Sequence, residues 1–237
     1  MIRIGVLALQ GDFAEHVAVF PRLGVEAREV RLPEQLDGLD GLVIPGGEST
    51  TFTHLMAEYG LLEPIRRLAK DGVPIWGTCA GTIVLARQAS DMPRPGLGIM
   101  DIVVERNAFG RQVESFEAAL VMPVLGQEPF PAVFIRAPII RQVGPGVEVL
   151  ARLPASATGR PARPDGGAHG ASLDGGTVVA ARQGRLLATA FHPELTGDPR
   201  LHRYFLALVD TRKASPPSAG APSSRRELQK NMPGARP

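Results

Sequence analysis

The chain has 237 residues, 44% of them hydrophobic and 21% charged, enough for one α/β domain with a sizeable core; it contains no apolar run long enough for a transmembrane helix. A single cysteine excludes an internal disulfide and suits a reducing cytoplasm. The net charge of +2 is concentrated at the C-terminus, where Arg212, Lys213, Arg225, Arg226, Lys230 and Arg236 face one acid, Glu227; the remaining body is mildly acidic, which argues against a nucleic-acid-binding core.

In chain order, Ile2–Leu9 reads as a buried first strand rather than a signal peptide, since it lacks a basic region and a small-residue cleavage site. Residues 12–20 place apolar groups at helical spacing, with Asp12 available as an N-cap. Strands follow at Gly41–Ile44 and Val73–Trp76, separated by one or two helices over 50–69 with a break near Gly60. Residues 81–89 read as a short apolar helix. This alternation predicts an α/β fold with a mostly parallel central sheet covered on both faces. Farther on, 99–105, 118–122, 132–135, 147–150, 178–182 and 186–190 are closely spaced strand candidates, and 199–209 is a closing helix. Residues 154–176, rich in Pro, Gly, Ala and Ser, read as a surface loop. The expected organisation is one domain over 1–211 and a flexible basic tail over 212–237.

The cysteine stands in a telling place. Gly77-Thr78-Cys79-Ala80-Gly81 leads from an apolar strand into an apolar helix, and a nucleophile needs such a tight, exposed turn with little bulk beside it. The N-terminus of the following helix favours thiolate over thiol. The competing reading is a small buried core residue, a common role for free cysteine.

A cysteine nucleophile needs a base. Of the five histidines, His169 falls in the Gly-rich loop, while His16, His54 and His202 fall on helices, where a surface position is the ordinary expectation. His192 differs, because it follows an apolar strand and opens His192-Pro193-Glu194. Pro193 biases His192 toward an extended conformation, so Glu194 projects to the same side and can hold one ring nitrogen while the other faces Cys79. That is the nucleophile, base and orienter arrangement of acyl transfer. On its own, a solvated turn would explain the tripeptide equally well.

Pro45-Gly46-Gly47-Glu48-Ser49-Thr50 joins a strand to a helix start, and backbone N–H groups freed by such a turn can stabilise an oxyanion. A phosphate-binding turn is the alternative, although neither nucleotide-binding glycine pattern is present.

Taken in order, PGGES, GTCAG and FHPE resemble the class I glutamine amidotransferases. Leu9-Gln10-Gly11, the segment from Arg106 to Gln112, Phe134-Ile135-Arg136-Ala137-Pro138 and Ala190–Asp198 narrow the resemblance to the glutaminase subunits of pyridoxal 5'-phosphate synthase. The resemblance implies a three-layer, flavodoxin-like domain that hydrolyses L-glutamine to glutamate and ammonia. It assigns Cys79 as nucleophile, His192 as acid/base and Glu194 as orienting carboxylate. It places Gly47, Glu48, Ser49, Arg106, Ile135 and Arg136 at the glutamine, with the Gly47 and Ala80 amides as oxyanion hole. It implies no metal and no organic cofactor, and a partner: a barrel-shaped synthase that takes the ammonia within a hetero-oligomeric complex. No nucleic-acid or membrane partner is expected. The loop over 154–176 and the tail depart from the family pattern without touching a motif residue. Glutaminases serving other synthases, a Cys-His peptidase and a catalytically silent regulatory partner are the competing readings.

Overall fold

The computed structural model describes residues 1–108, 115–154 and 176–214. The elements run β1 (Arg3–Leu7), α1 (Phe13–Arg22), β2 (Glu26–Val30), β3 (Gly41–Ile44), α2 (Ser49–Glu58), α3 (Leu62–Lys70), β4 (Ile75–Thr78), α4 (Ala80–Leu85) and β5 (Ala86–Ala89). Then come β6 (Met100–Glu105), β7 (Ser115–Leu120), β8 (Phe130–Ile135), β9 (Ile139–Val143), β10 (Glu148–Pro154), β11 (Gly176–Gln183), β12 (Leu186–Thr189) and α5 (Arg200–Ala214).

The main sheet has the order β2-β1-β3-β4-β12-β11-β9-β6-β5, with β10 added on β11. Its first five strands are all parallel, in the 2-1-3-4-5 order of flavodoxin-like sheets. From β12 onward the pairing turns antiparallel through β11, β9 and β6. β7 and β8 form a separate antiparallel hairpin.

Side chains alternate across the parallel strands and so divide the core in two. Ile4, Val6, Val43, Trp76 and Leu187 point to one side, where Phe20 of α1 and Phe205 and Val209 of α5 pack with Phe130 and Phe134 of the hairpin. Leu7, Leu42, Ile44, Ile75 and Ala188 point to the other, against Phe52 and Met56 of α2, Ile65 of α3 and Val84 of α4. The result is the expected three-layer α/β architecture.

Three local expectations are corrected. The helix expected over 81–89 stops at Leu85, because Ala86 turns extended (φ −59°, ψ 143°) and pairs with Met100 in the sheet. β2 was not anticipated: Glu26, Arg28 and Glu29 hide the strand behind charge, yet it pairs with β1 along its whole length. β9 was also missed, directly after Pro138. The expected loop over 154–176 meets described structure only at its ends, and 155–175 and 215–237 lie outside the described residues, as do 109–112 of the Arg106–Gln112 motif and His169.

Candidate active site

Parallel strands deliver their carboxyl ends to one edge of a sheet, and ligands of open α/β sheets bind there. In this chain that edge gathers Gln10 and Asp12 after β1, Gly46–Glu48 after β3, Cys79 after β4 and His192 after β12. The pairing of Thr78 with Thr189 sets the last two side by side across 113 residues of chain.

Cys79 adopts φ 46°, ψ −105° between β4 and α4, a left-handed conformation costly for any residue with a Cβ. Its surroundings hold it there. The Cys79 amide donates to the Thr189 carbonyl at 2.8 Å, and the Thr82 hydroxyl donates to the carbonyls of Gly77 (3.0 Å) and Thr189 (2.8 Å). A Cβ on Gly81 would lie 2.0 Å from the Ile44 carbonyl oxygen, so only glycine permits the turn to approach β3 this closely. Cys79 is 7% exposed, and its sulfur lies 3.9 Å from the Ile135 carbonyl.

His192 is buried, and its amide donates to the Val133 carbonyl of β8 at 2.8 Å. Its Nδ1 lies 2.7 Å from Glu194 Oε1 and 3.3 Å from Asp12 Oδ2, and the ring also hydrogen-bonds Cys79. Burial alone would lower its pKa; the hydrogen bonds to Asp12, Cys79 and Glu194 outweigh burial and push it up to about 12. Glu194, with a fully buried side chain, is held down to about 2 against its own desolvation by the charge and hydrogen bonds of His16 and His192. The segment is not extended through Glu194, as the sequence suggested, but a single 3-10 turn over Pro193–Leu195. The two-residue spacing still brings Glu194 onto His192.

The opposite wall is built differently. The Glu48 side chain, 52% exposed, accepts from the Thr50 and Thr51 amides and so caps α2. Those bonds overcome its partial desolvation and hold it at about 2. The Gln10 side chain brackets the Glu48 peptide, accepting from its N–H at 3.2 Å and donating to its C=O at 3.1 Å. Gly47 has φ +145° and its missing Cβ would meet Gln10 at 2.6 Å. Arg106 donates to Glu48 Oε1 at 3.1 Å and to the Asp91 carbonyl at 2.7 Å, so two sequence-predicted substrate residues hold each other. Ser49 is buried at the start of α2, and Arg136 is exposed with φ 42° on the turn after β8.

The family model that matches this chain is that of the SNO glutamine amidotransferases, over residues 6–211. The chain belongs to the SNO glutamine amidotransferase family. Among SNO relatives, the pyridoxal 5'-phosphate synthase subunit PdxT of Pelotomaculum thermopropionicum is 56% identical over 205 residues, 86% of this chain and 94% of the relative. The protein of the same name from Thermus thermophilus is 54% identical over 208 residues, 87% and 97% of the two chains. A crystal structure described as a glutamine amidotransferase superposes with a TM-score of 0.74 at 49% identity, covering 87% of this chain and 98% of its own. PurLQS from Thermotoga maritima, at 14% identity and a TM-score of 0.60, shares the fold.

Within this SNO chain, sequence reasoning misplaced two histidines. His16 and His202, expected at the surface, are 0% and 1% exposed and lie behind Glu194. Their helical neighbours carried the signal: Phe20 four residues after His16, and Phe205, Leu206 and Val209 at three, four and seven after His202, place both on apolar stripes. His54 does lie at the surface, 3.7 Å from Glu58. Asp12 caps nothing with its side chain; it faces His192 instead. Asp12, His192 and Glu194 have potential ligand atoms within 4.8 Å of one another, the only such metal-sized group among the described residues. In it His192 Nδ1 already serves both carboxylates.

Proposed function

We propose that this chain hydrolyses L-glutamine to L-glutamate and ammonia through a glutamyl thioester on Cys79, and hands the ammonia to a synthase partner that makes pyridoxal 5'-phosphate. The observation that carries the reading is the hydrogen-bonded line from Cys79 to His192 to Glu194 at the carboxyl edge of the sheet. Family membership and the names of the relatives support the substrate and the pathway.

The raised His192 pKa keeps an imidazolium beside the sulfur, the partner a thiolate needs. Cys79 attacks the side-chain amide carbon, and the Gly47 and Ala80 amides receive the developing oxyanion. His192 gives its proton to the departing ammonia. Now neutral, it takes a proton from water, which attacks the thioester and releases glutamate. Glu194 remains ionised throughout and holds the ring. None of these steps calls for a metal or an organic cofactor. Arg106, whose fork suits a carboxylate, takes the substrate's α-carboxylate by exchanging its contact with Glu48, while Ser49, the Ile135 backbone and Arg136 complete the glutamine site. Ammonia is lost to protonation in bulk water, so a docked acceptor, the barrel-shaped synthase subunit in a cytoplasmic complex, completes the reaction.

Glutamate release from L-glutamine, measured with and without the pyridoxal 5'-phosphate synthase partner, tests this directly. Cys79→Ala lowers the partner-stimulated rate by at least about 10³-fold. A wild-type rate no higher than that of Cys79→Ala overturns the glutaminase reading, and equal stimulation by an unrelated synthase overturns the pathway.

A further inference from the structure

Behind the triad lies a buried second layer. His16, on α1, is wholly inaccessible to solvent. Its Nε2 is 3.2 Å from Glu194 Oε2, the oxygen that does not face His192, and 3.3 Å from the hydroxyl of Thr78, the residue before the nucleophile. Its Nδ1 is 3.2 Å from His202 Nε2 on α5. The rings of His16 and His202 both pack edge-on to Trp76, at 5.5 and 5.0 Å. Three elements therefore fix one imidazole against the triad carboxylate.

The proton positions follow from the partners. An ionised carboxylate only accepts, so His16 Nε2 carries a hydrogen. Burial and the neighbouring His16 lower the His202 pKa to about 3, so that ring is neutral. The 3.2 Å contact of His202 Nε2 with His16 Nδ1 holds the two rings against each other. Glu194 Oε2 makes no hydrogen bond of good geometry among the described residues; what it has is the ion-pair approach of His16 Nε2 at 3.2 Å. Without His16 this buried carboxylate oxygen would lose its ion-pair contact as well, a costly state for a charged group.

We propose that His16 is a positioning residue of the active site: it engages Glu194 Oε2 so that Oε1 is presented to His192, with His202 fixing the His16 ring from behind. The inference rests on the glutaminase reading for its kinetic test. A core histidine that only fills space would need none of this polarity. Groups facing the chain of contacts are Asp12, Cys79 and Glu194 around His192, His192 and His16 around Glu194, and Glu194 and His202 around His16.

The test compares His16→Leu, which removes the donor, with His16→Gln, which keeps one near the Nε2 position, each assayed in complex with the synthase partner. His16→Leu lowers kcat about tenfold or more, leaves KM for glutamine within about twofold, and moves the acid limb of the kcat profile to higher pH as Glu194 loses its partner. His16→Gln restores kcat to within about threefold of wild type. A Leu variant matching wild type in kcat and acid limb overturns the proposal, as does a Gln variant as impaired as Leu. If His16→Leu does not fold, His16→Met takes its place. A second readout needs neither substrate nor partner: the pH dependence of Cys79 alkylation by iodoacetamide in the isolated chain. A shifted profile in the Leu variant supports the proposal even where the wild type releases no glutamate, in which case the glutaminase reading alone falls; an unshifted profile overturns the proposal.

Discussion

The two walls of the candidate site are made of different material. On one side Cys79, His192 and Glu194 are almost fully buried, joined at strand ends and backed by further buried polar groups. On the other, Gly47 and Glu48 are exposed, and the polar groups of Glu48 are occupied by the protein itself through Gln10, Thr50, Thr51 and Arg106. The buried wall already holds His192 and Glu194 in contact. On the proposed reading the exposed wall exchanges its internal contacts for substrate, so binding falls on the side that is cheaper to move.

Three measurements would break or sharpen that contrast. The largest effect is expected on the buried wall, where Glu194→Gln keeps the shape and removes the charge that holds the imidazolium. It should lower kcat by about 10² to 10⁴-fold with little change in KM, and steady-state kinetics that instead show mainly a KM effect would dissolve the distinction. On the exposed wall, Arg106→Lys keeps a cation but loses the fork. KM for glutamine should rise about tenfold while kcat falls less, read from the same assay. A kcat loss as large as that of Glu194→Gln would place Arg106 in the chemistry.

The smallest effect concerns stability. Glu48 is held near a pKa of 2, below its ordinary value of 4.5, so its capping contribution is present above about pH 4.5 and disappears as pH falls toward 2. Glu48→Ala should cost about 1 kcal/mol at neutral pH, and the difference from wild type should narrow in acid, as followed by thermal melts from pH 7 to 3. A gap that stays constant with pH would mean that the carboxylate charge contributes nothing to the cap.

The same contrast governs what could be read in the sequence. Cys79, His192 and Glu194 were legible because each sits in a short segment whose glycines or proline dictate the backbone locally, and the parallel half of the sheet, β2 excepted, was legible from its apolar runs. Glu48 and Arg106 were found only by resemblance, and their mutual ion pair was not foreseen, since nothing local brings residues 58 apart together. His16 and His202 were misread for a related reason. A polar residue on an apolar stripe looks like a surface residue until its partner is known, and that partner comes from another element. β2 was hidden because its pairing with β1, rather than its own composition, makes it a strand.

The pairing of Thr78 with Thr189 has a consequence for how such a chain can change. The gap between Cys79 and His192 is ruled by the lattice spacing of two neighbouring parallel strands, roughly 4.8 Å, and not by the length of polypeptide that joins them. Insertions or deletions in connections between residues 86 and 185 can change the molecule's outline without stretching the distance between Cys79 and His192. The length of the connecting chain and the spacing of the two side chains are thereby uncoupled.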